Sequence, residues 1–222
     1  MREDGLEQGR GQQLAAPGLG PSLASHAAAA EADEIDLLRS HEYNLLAIMI
    51  GRAPERDLLG RLGELRGDQS PLGSAHIALG RAAAAADLGA VKREFFDLFV
   101  GLGRGELLPY ASYYLTGFLN ERPLARVRKD LGALGIERAP DQHEPEDHIA
   151  ILLEVMAGLA SGRFAADRGA ERGFFERHLK PWAERFFADL EAAKSARFYR
   201  AVGALGRLFM EIEAEAFAMD AQ

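Results

Sequence analysis

From residue 33 onward, apolar side chains recur at three- and four-residue steps and almost never alternate, which is the period of a helix and not of a strand. Ile35, Leu38, Leu45, Leu46 and Met49 mark a first stripe, with Asp33 as its expected N-cap and Gly51 and Pro54 as its end. Leu58, Leu59, Leu62 and Leu65 mark a second, ending near Gly67. Ser70-Pro71 is a restart signal, a capping hydroxyl followed by a proline in the first turn, and that helix runs through an alanine run to about Asp87. Further stripes cover Val91 to Val100, Ser112 to Asn120 and Pro123 to Leu134, the last stopping at Gly135. Pro145 is expected to restart a helix carrying Ile149, Leu152, Leu153 and Met156. Helices around Phe174/Phe175 and Trp182/Phe186/Phe187 precede a long final one from about Ser195 to Phe217.

Composition supports that reading. Thr116 is the only threonine, Val and Ile are scarce, and Ala, Leu, Glu and Arg dominate. The expected fold is all-α: about ten helices in a two-lobed bundle with a hinge near 136–145. Four regions follow: a flexible tail over 1–32, an N-terminal lobe over 33–135, a linker over 136–144 and a C-terminal lobe over 145–222.

With 222 residues, 48% of them hydrophobic, the chain can bury a sizeable core. A formal charge of −8 argues against a nucleic-acid binder, which needs clustered Lys and Arg. The absence of cysteine removes disulfides, thiolate nucleophiles and sulfur-ligated zinc. No window reaches the roughly 18 to 20 apolar residues that span a bilayer, and the first thirty residues lack the form of an export signal. The expected location is cytoplasmic.

Local chemistry is sparse. Gly101-Leu102-Gly103-Arg104-Gly105 lacks the Lys-Ser/Thr ending of a phosphate loop and reads as a glycine-rich connection. His143 and His148 stand five apart, so one helical face does not present both to a metal. No serine sits in a nucleophile elbow, and Glu211, Glu213 and Glu215 read as a solvated face. Neither a catalytic constellation nor a metal or cofactor site is expected. Glu144, Glu146 and Asp147 allow two readings: caps for a helix N-terminus, or acceptors for a guanidinium, whose planar fork matches a carboxylate. The residues alone do not choose. Leu107 to Tyr114 adds aromatic rings, which suit either core packing or cation–π contacts.

Two segments together carry more. Glu94-Phe95-Phe96-Asp97-Leu98-Phe99-Val100-Gly101 leading into Leu108-Pro109-Tyr110-Ala111-Ser112-Tyr113-Tyr114 resembles the first signature of the TorD/DmsD/NarJ family. Glu144-Pro145-Glu146-Asp147-His148-Ile149-Ala150 resembles its E-P-x-D-H hinge motif, and Leu179-Lys180-Pro181-Trp182 with Phe186-Phe187 fits its C-terminal half. The likeness spans about residues 33–217.

The resemblance implies an all-helical chaperone, not an enzyme, dedicated to a molybdenum-containing oxidoreductase. Such a chaperone holds the apo catalytic subunit, often by its twin-arginine leader, until the molybdopterin cofactor is inserted. Asp147 and His148 match positions tied to leader binding, and Pro109, Tyr110 and Ser112 match a loop lining the same pocket. Tyr110 stands where some members carry Trp, which bears on leader choice. On this expectation the arginines meet Asp147, His148, Glu144 and Glu146, and the leader's apolar stretch lies against Leu108, Tyr110 and Phe99. The client stays open, formate dehydrogenase being slightly preferred, and so does the choice between monomer and domain-swapped dimer. The competing expectation is an assembly factor for a non-exported molybdoenzyme subunit, without leader recognition.

Overall fold

The computed structural model describes residues 23–138, 143–164, 166 and 169–219. Among these residues it is all-α: ten α-helices, one π-helical turn and no strand beyond a single isolated bridge. The helices are α1 (Leu23–Gly51), α2 (Arg56–Gly63), α3 (Pro71–Ala84), α4 (Leu88–Phe95), α5 (Ala111–Thr116), α6 (Arg122–Ala133), α7 (Ile149–Ala160), α8 (Ala170–His178), α9 (Ala183–Ala192) and α10 (Phe198–Met219). The π-turn, Phe96–Val100, continues α4 directly.

Helix α7 is the axis of the molecule. Ile149, Ala150, Leu152, Leu153, Val155 and Met156 are all buried, so it is apolar nearly all round, as a fully enclosed helix must be. Helix α1 lies along it, with Tyr43, Leu46, Met49 and Ile50 facing in. The Ser40 hydroxyl donates to the Ala157 carbonyl at 2.8 Å, so this buried polar group is satisfied. Burying a side chain such as Leu153 contributes about 1.5–3 kcal/mol. The two halves of the chain interleave: α1 packs on α7, and α3 packs on α10. One continuous core cluster runs from Tyr43 to Phe217.

Helix α10 approaches α9 closely because glycine stands at the contact. A side chain at Gly203 would press on the Phe187 carbonyl at 2.9 Å, and one at Gly206 would enter the Phe187 ring.

Several boundaries differ from the sequence expectation. Helix α1 begins at Leu23, before Asp33, because the alanine run Ala27–Ala30 propagates a helix without needing that cap. The flexible-tail expectation otherwise falls on residues 1–22, outside the described ones, as do 139–142 of the linker. Pro145 does not open a helix. It opens a turn closed by His148 N–H donating to its carbonyl at 3.0 Å, and α7 starts at Ile149. Glu213 is not on a solvated face. It is buried and accepts a forked pair of hydrogen bonds from Arg39, at 2.8 and 2.6 Å, plus the Tyr43 hydroxyl at 2.6 Å. Arg39 also reaches Glu171 at 2.6 Å, so one guanidinium ties α1, α8 and α10 together. Such a buried carboxylate is tolerable because both of its oxygens find donors, one of them charged.

Two more acids hold the start of α10. The buried Glu94 carboxylate accepts from the amides of Arg197, Phe198 and Tyr199 at 2.7, 3.2 and 2.7 Å. Glu106 accepts from those of Lys194 and Ser195 at 2.7 and 3.0 Å. The first turn of a helix has amides with no partner inside it; Glu94 supplies one to α10, and Glu106 holds the turn that precedes it.

Candidate functional site

The two segments that carry the resemblance meet at the isolated bridge. Pro109–Ala111 runs antiparallel to Asp147–Ile149, centred on Tyr110 opposite His148. Ala111 N–H donates to the Asp147 carbonyl and Ile149 N–H donates to the Pro109 carbonyl, each at 2.9 Å. Two chain stretches some thirty-five residues apart, both at helix starts, are thereby locked side by side: α5 leaves one and α7 leaves the other.

Asp147 is almost wholly buried, and its Oδ2 accepts the Ser112 amide at 2.8 Å. It caps α5, across the bridge, and not the helix that follows it in sequence. The expectation that Asp147 presents its charge to a ligand is therefore revised: its role in this geometry is to position Ser112 and the Pro109–Ser112 loop. The Ser112 side chain is fully buried, and its Oγ has no hydrogen-bond partner.

His148 caps α7. Its Nδ1 accepts from Ala150 N–H at 3.1 Å, which leaves the proton of the neutral ring on Nε2. Burial pushes its pKa down to about 4, outweighing the opposing pull of Glu144 and Asp147. The imidazole is neutral near pH 7 and does not repel a cation. The Tyr110 ring meets it edge-on, centroids 5.1 Å apart at 79°.

The other two acids pair with side chains. Glu144 is exposed and accepts the Tyr110 hydroxyl at 2.6 Å. Burial, and then Glu144 itself, raises the Tyr110 pKa, so the phenol stays a donor. Glu146 sits at the opposite edge, receiving Arg128 Nε at 2.8 Å, with Arg138 Nη1 at 4.0 Å.

A groove of about 510 Å³ opens beside Leu108. Tyr113, Tyr114 and Leu115 from α5 form one wall, and Arg185 and Asp189 from α9 form the other. The Tyr114 hydroxyl donates to Asp189 Oδ2 at 3.0 Å, and Arg104 donates to the Tyr113 hydroxyl at 2.8 Å. Leu115, Phe118 and Leu119 stand exposed at the end of α5. Of the expected site residues, Pro109, Tyr110, Ser112, Glu144, Asp147 and His148 come together, Leu108 lines the groove, and Glu146 lies on the far edge. Phe99 goes elsewhere: it packs on Phe95 at 5.2 Å and Tyr199 at 5.5 Å. The sequence reading missed Arg104, Arg185 and Asp189. The last two are four apart on α9, but nothing in their spacing ties them to Tyr114.

The glycine run is structural. A side chain at Gly101 would strike the Arg104 carbonyl, and one at Gly105 would sit 2.5 Å from that of Leu98. Glu106 and Leu107 amides donate back to Asp97 and Leu98. Among the described residues no group of acids and histidines is arranged for a metal, and no helix is long and apolar enough to cross a membrane.

Residues 66–188 match the family model described as nitrate reductase delta subunit. The chain is 30% identical to the chaperone protein TorD of Vibrio cholerae over 190 residues, 82% of each chain. The chain belongs to the TorD/DmsD/NarJ family. A TorD chaperone of Aliivibrio fischeri is 32% identical over 135 residues, 56% of this chain and 63% of that one. A crystal structure of a candidate redox enzyme maturation protein from Archaeoglobus fulgidus shares the fold, with a TM-score of 0.55 and 21% identity over 78% of this chain and 93% of that one. These TorD relatives are named chaperones, and this TorD-family chain is likewise a chaperone and not an enzyme.

Proposed function

We propose that the chain is a cytoplasmic chaperone for a molybdopterin-dependent oxidoreductase, holding the apo catalytic subunit and its twin-arginine leader until the cofactor is inserted. The observation that carries this reading is the Tyr110–His148 bridge, which joins the two motif segments into one surface with acids on its edges and a groove at its end. The leader's arginines approach the exposed Glu144, whose charge is held in place by the Tyr110 hydroxyl. A guanidinium suits that geometry because its fork makes parallel charge-assisted bonds. The apolar stretch of the leader then lies along Leu108, Tyr114 and Leu115, with Phe118 and Leu119 extending the surface. Asp147 and His148 act underneath, fixing the two strands, and do not themselves reach the peptide.

A leader affinity near micromolar, about −8 kcal/mol, permits both capture and release. Titrating the chain with a synthetic leader peptide in a calorimeter tests the reading. The twin-arginine peptide binds, and its twin-lysine counterpart binds more weakly, because lysine offers a point charge without the fork. Equal affinities for the two, or no binding, contradict the assignment. The matching family model bears the description of a nitrate reductase subunit, which favours a second reading: assembly of a non-exported subunit without a leader. In that case the apo subunit binds and the isolated leader does not.

A further inference from the structure

Between Phe118 and Asp130 the chain carries four bases, Arg122, Arg126, Arg128 and Lys129, against two acids, Glu121 and Asp130, although its formal charge is −8. Arg128 is spent on Glu146 at 2.8 Å, and Asp130 accepts Arg177 Nε at 2.7 Å beside His178 at 2.8 Å. Among the described residues, Arg122, Arg126 and Lys129 take part in no ion pair, and Glu121 stands before α6 without bonding its amides. The three bases recur at steps of four and three, so they share one face of α6. That face is exposed and carries Ala125, Gly132 and Ala133 beside the bases, while Leu124, Val127 and Leu131 are buried on the other. The helix has its apolar side fixed in the core and shows solvent a row of long cations over small residues.

At the head of this row Phe118 and Leu119 are 69% and 44% exposed. The turn that presents them is built by the backbone. Gly117 closes α5 at φ 83°, its amide donating to the Tyr113 carbonyl at 2.8 Å, and Asn120 follows at φ 60°. The Thr116 hydroxyl donates to the Ser112 carbonyl at 2.8 Å and accepts the Phe118 amide at 3.3 Å. Single exposed apolar side chains are ordinary, but two in succession on an ordered turn, leading into unpaired bases, form a combined surface.

We propose that the outward face of α6, with Phe118 and Leu119 at its head, docks peripherally on an anionic lipid surface. The bases meet headgroup phosphates, and the two apolar side chains enter the boundary with the acyl layer. An acidic protein face would answer the row of bases but offers no continuous apolar layer for Phe118 and Leu119, so the pair of features favours lipid. Attraction and repulsion both fade beyond a Debye length of about 8–10 Å, so acids on the far side of the molecule oppose this contact little. The inference goes beyond the leader-binding reading. Phe118 and Leu119 also border the groove assigned above to the leader, whereas the row of bases belongs to the lipid contact alone.

The test is co-sedimentation of the full chain, without peptide, with vesicles of phosphatidylcholine alone and of an equal mixture with phosphatidylglycerol at low salt. A thermal melt of each variant establishes folding. Binding to the mixed vesicles is expected, and none to phosphatidylcholine. Each base near an anionic surface is worth roughly fivefold in affinity, so R122Q/R126Q/K129Q should bind roughly a hundredfold more weakly. F118S/L119S should lose roughly tenfold with the apolar contact. The charge-matched R56Q/R61Q/R93Q variant, made at exposed bases of α2 and α4, should stay within about threefold of wild type. No binding to the mixed vesicles, unchanged binding in either of the first two variants, or an equal loss in the charge-matched one overturns the inference. Binding to polyglutamate with none to the mixed vesicles assigns the row of bases to an acidic protein and overturns it as well.

Discussion

Two sets of carboxylates in this molecule, Glu94 with Glu106 and the Glu144–Asp147 cluster, take different kinds of partner. At the start of α10, Glu94 and Glu106 spend their charge on five backbone amides. At the Tyr110–His148 bridge, only Asp147 does this; Glu144 at the surface and the largely buried Glu146 are held by side-chain partners. In the first set Glu94 is buried and belongs to the fold, and Glu106, though exposed beside the groove, has both oxygens on backbone amides. The second holds two of its acids on side chains instead of on helix amides, and side-chain partners exchange more readily than a helix terminus does. Whether an acid is available depends on which amides have already claimed it, and those amides are far away in sequence.

The largest effect is expected where the first set is broken. Glu94→Ala strips three α10 amides of their acceptor, and urea unfolding should show a loss of about 3 kcal/mol or more. Leader affinity per folded molecule should stay unchanged, since Glu94 bonds the amides of Arg197 to Tyr199 and not the bridge.

His148 gives the bridge a pH dependence. Its folded pKa of about 4 lies below the ordinary 6.5, so between those values the unfolded chain takes up a proton that the folded chain refuses. Stability therefore falls as pH drops through that window, by about 3 kcal/mol at the acid end. His148→Asn keeps a capping side chain and should flatten that part of the curve. A profile as steep in the variant as in wild type would show that other groups drive it.

Asp147→Ala should cost about 1–3 kcal/mol by leaving the Ser112 amide buried without an acceptor. It should also weaken leader binding by loosening the loop. Asp147→Asn retains an oxygen for that amide and should recover most of both, the outcome expected of a positioning residue. The smallest effect on stability belongs to Glu144→Gln, within about 0.5 kcal/mol for an exposed side chain. Its effect should appear in leader affinity, lowered roughly threefold to tenfold.

Much of the fold was legible because its signals are local. Ser70 does cap α3, accepting the Gly73 amide at 3.0 Å, and the aromatic stripes Phe174/Phe175 and Trp182/Phe186/Phe187 are buried as their periodicity requires. The family resemblance was legible for a different reason, since order and spacing of two motifs survive where single residues do not. The site was only half legible. Phe99 and Tyr110 both sit in signature segments, yet Phe99 turns onto Tyr199 because the π-turn redirects it toward α10. Asp147 read equally as a cap for the helix after it or as a guanidinium acceptor, but a bridge to a distant segment gave it the N-terminus of α5. Glu213 seemed solvated because its partner Arg39 lies 174 positions away. Each miss is a long-range pairing that no local pattern encodes.

Hydrogen exchange on the chain with and without a twin-arginine leader peptide tests the central claim most directly. The account predicts slowed exchange in residues 107–117 and 143–150, on both sides of the bridge, with the α10 start around 194–199 unchanged. Protection centred on that α10 start, or none at 107–117 and 143–150 under saturating peptide, would contradict it.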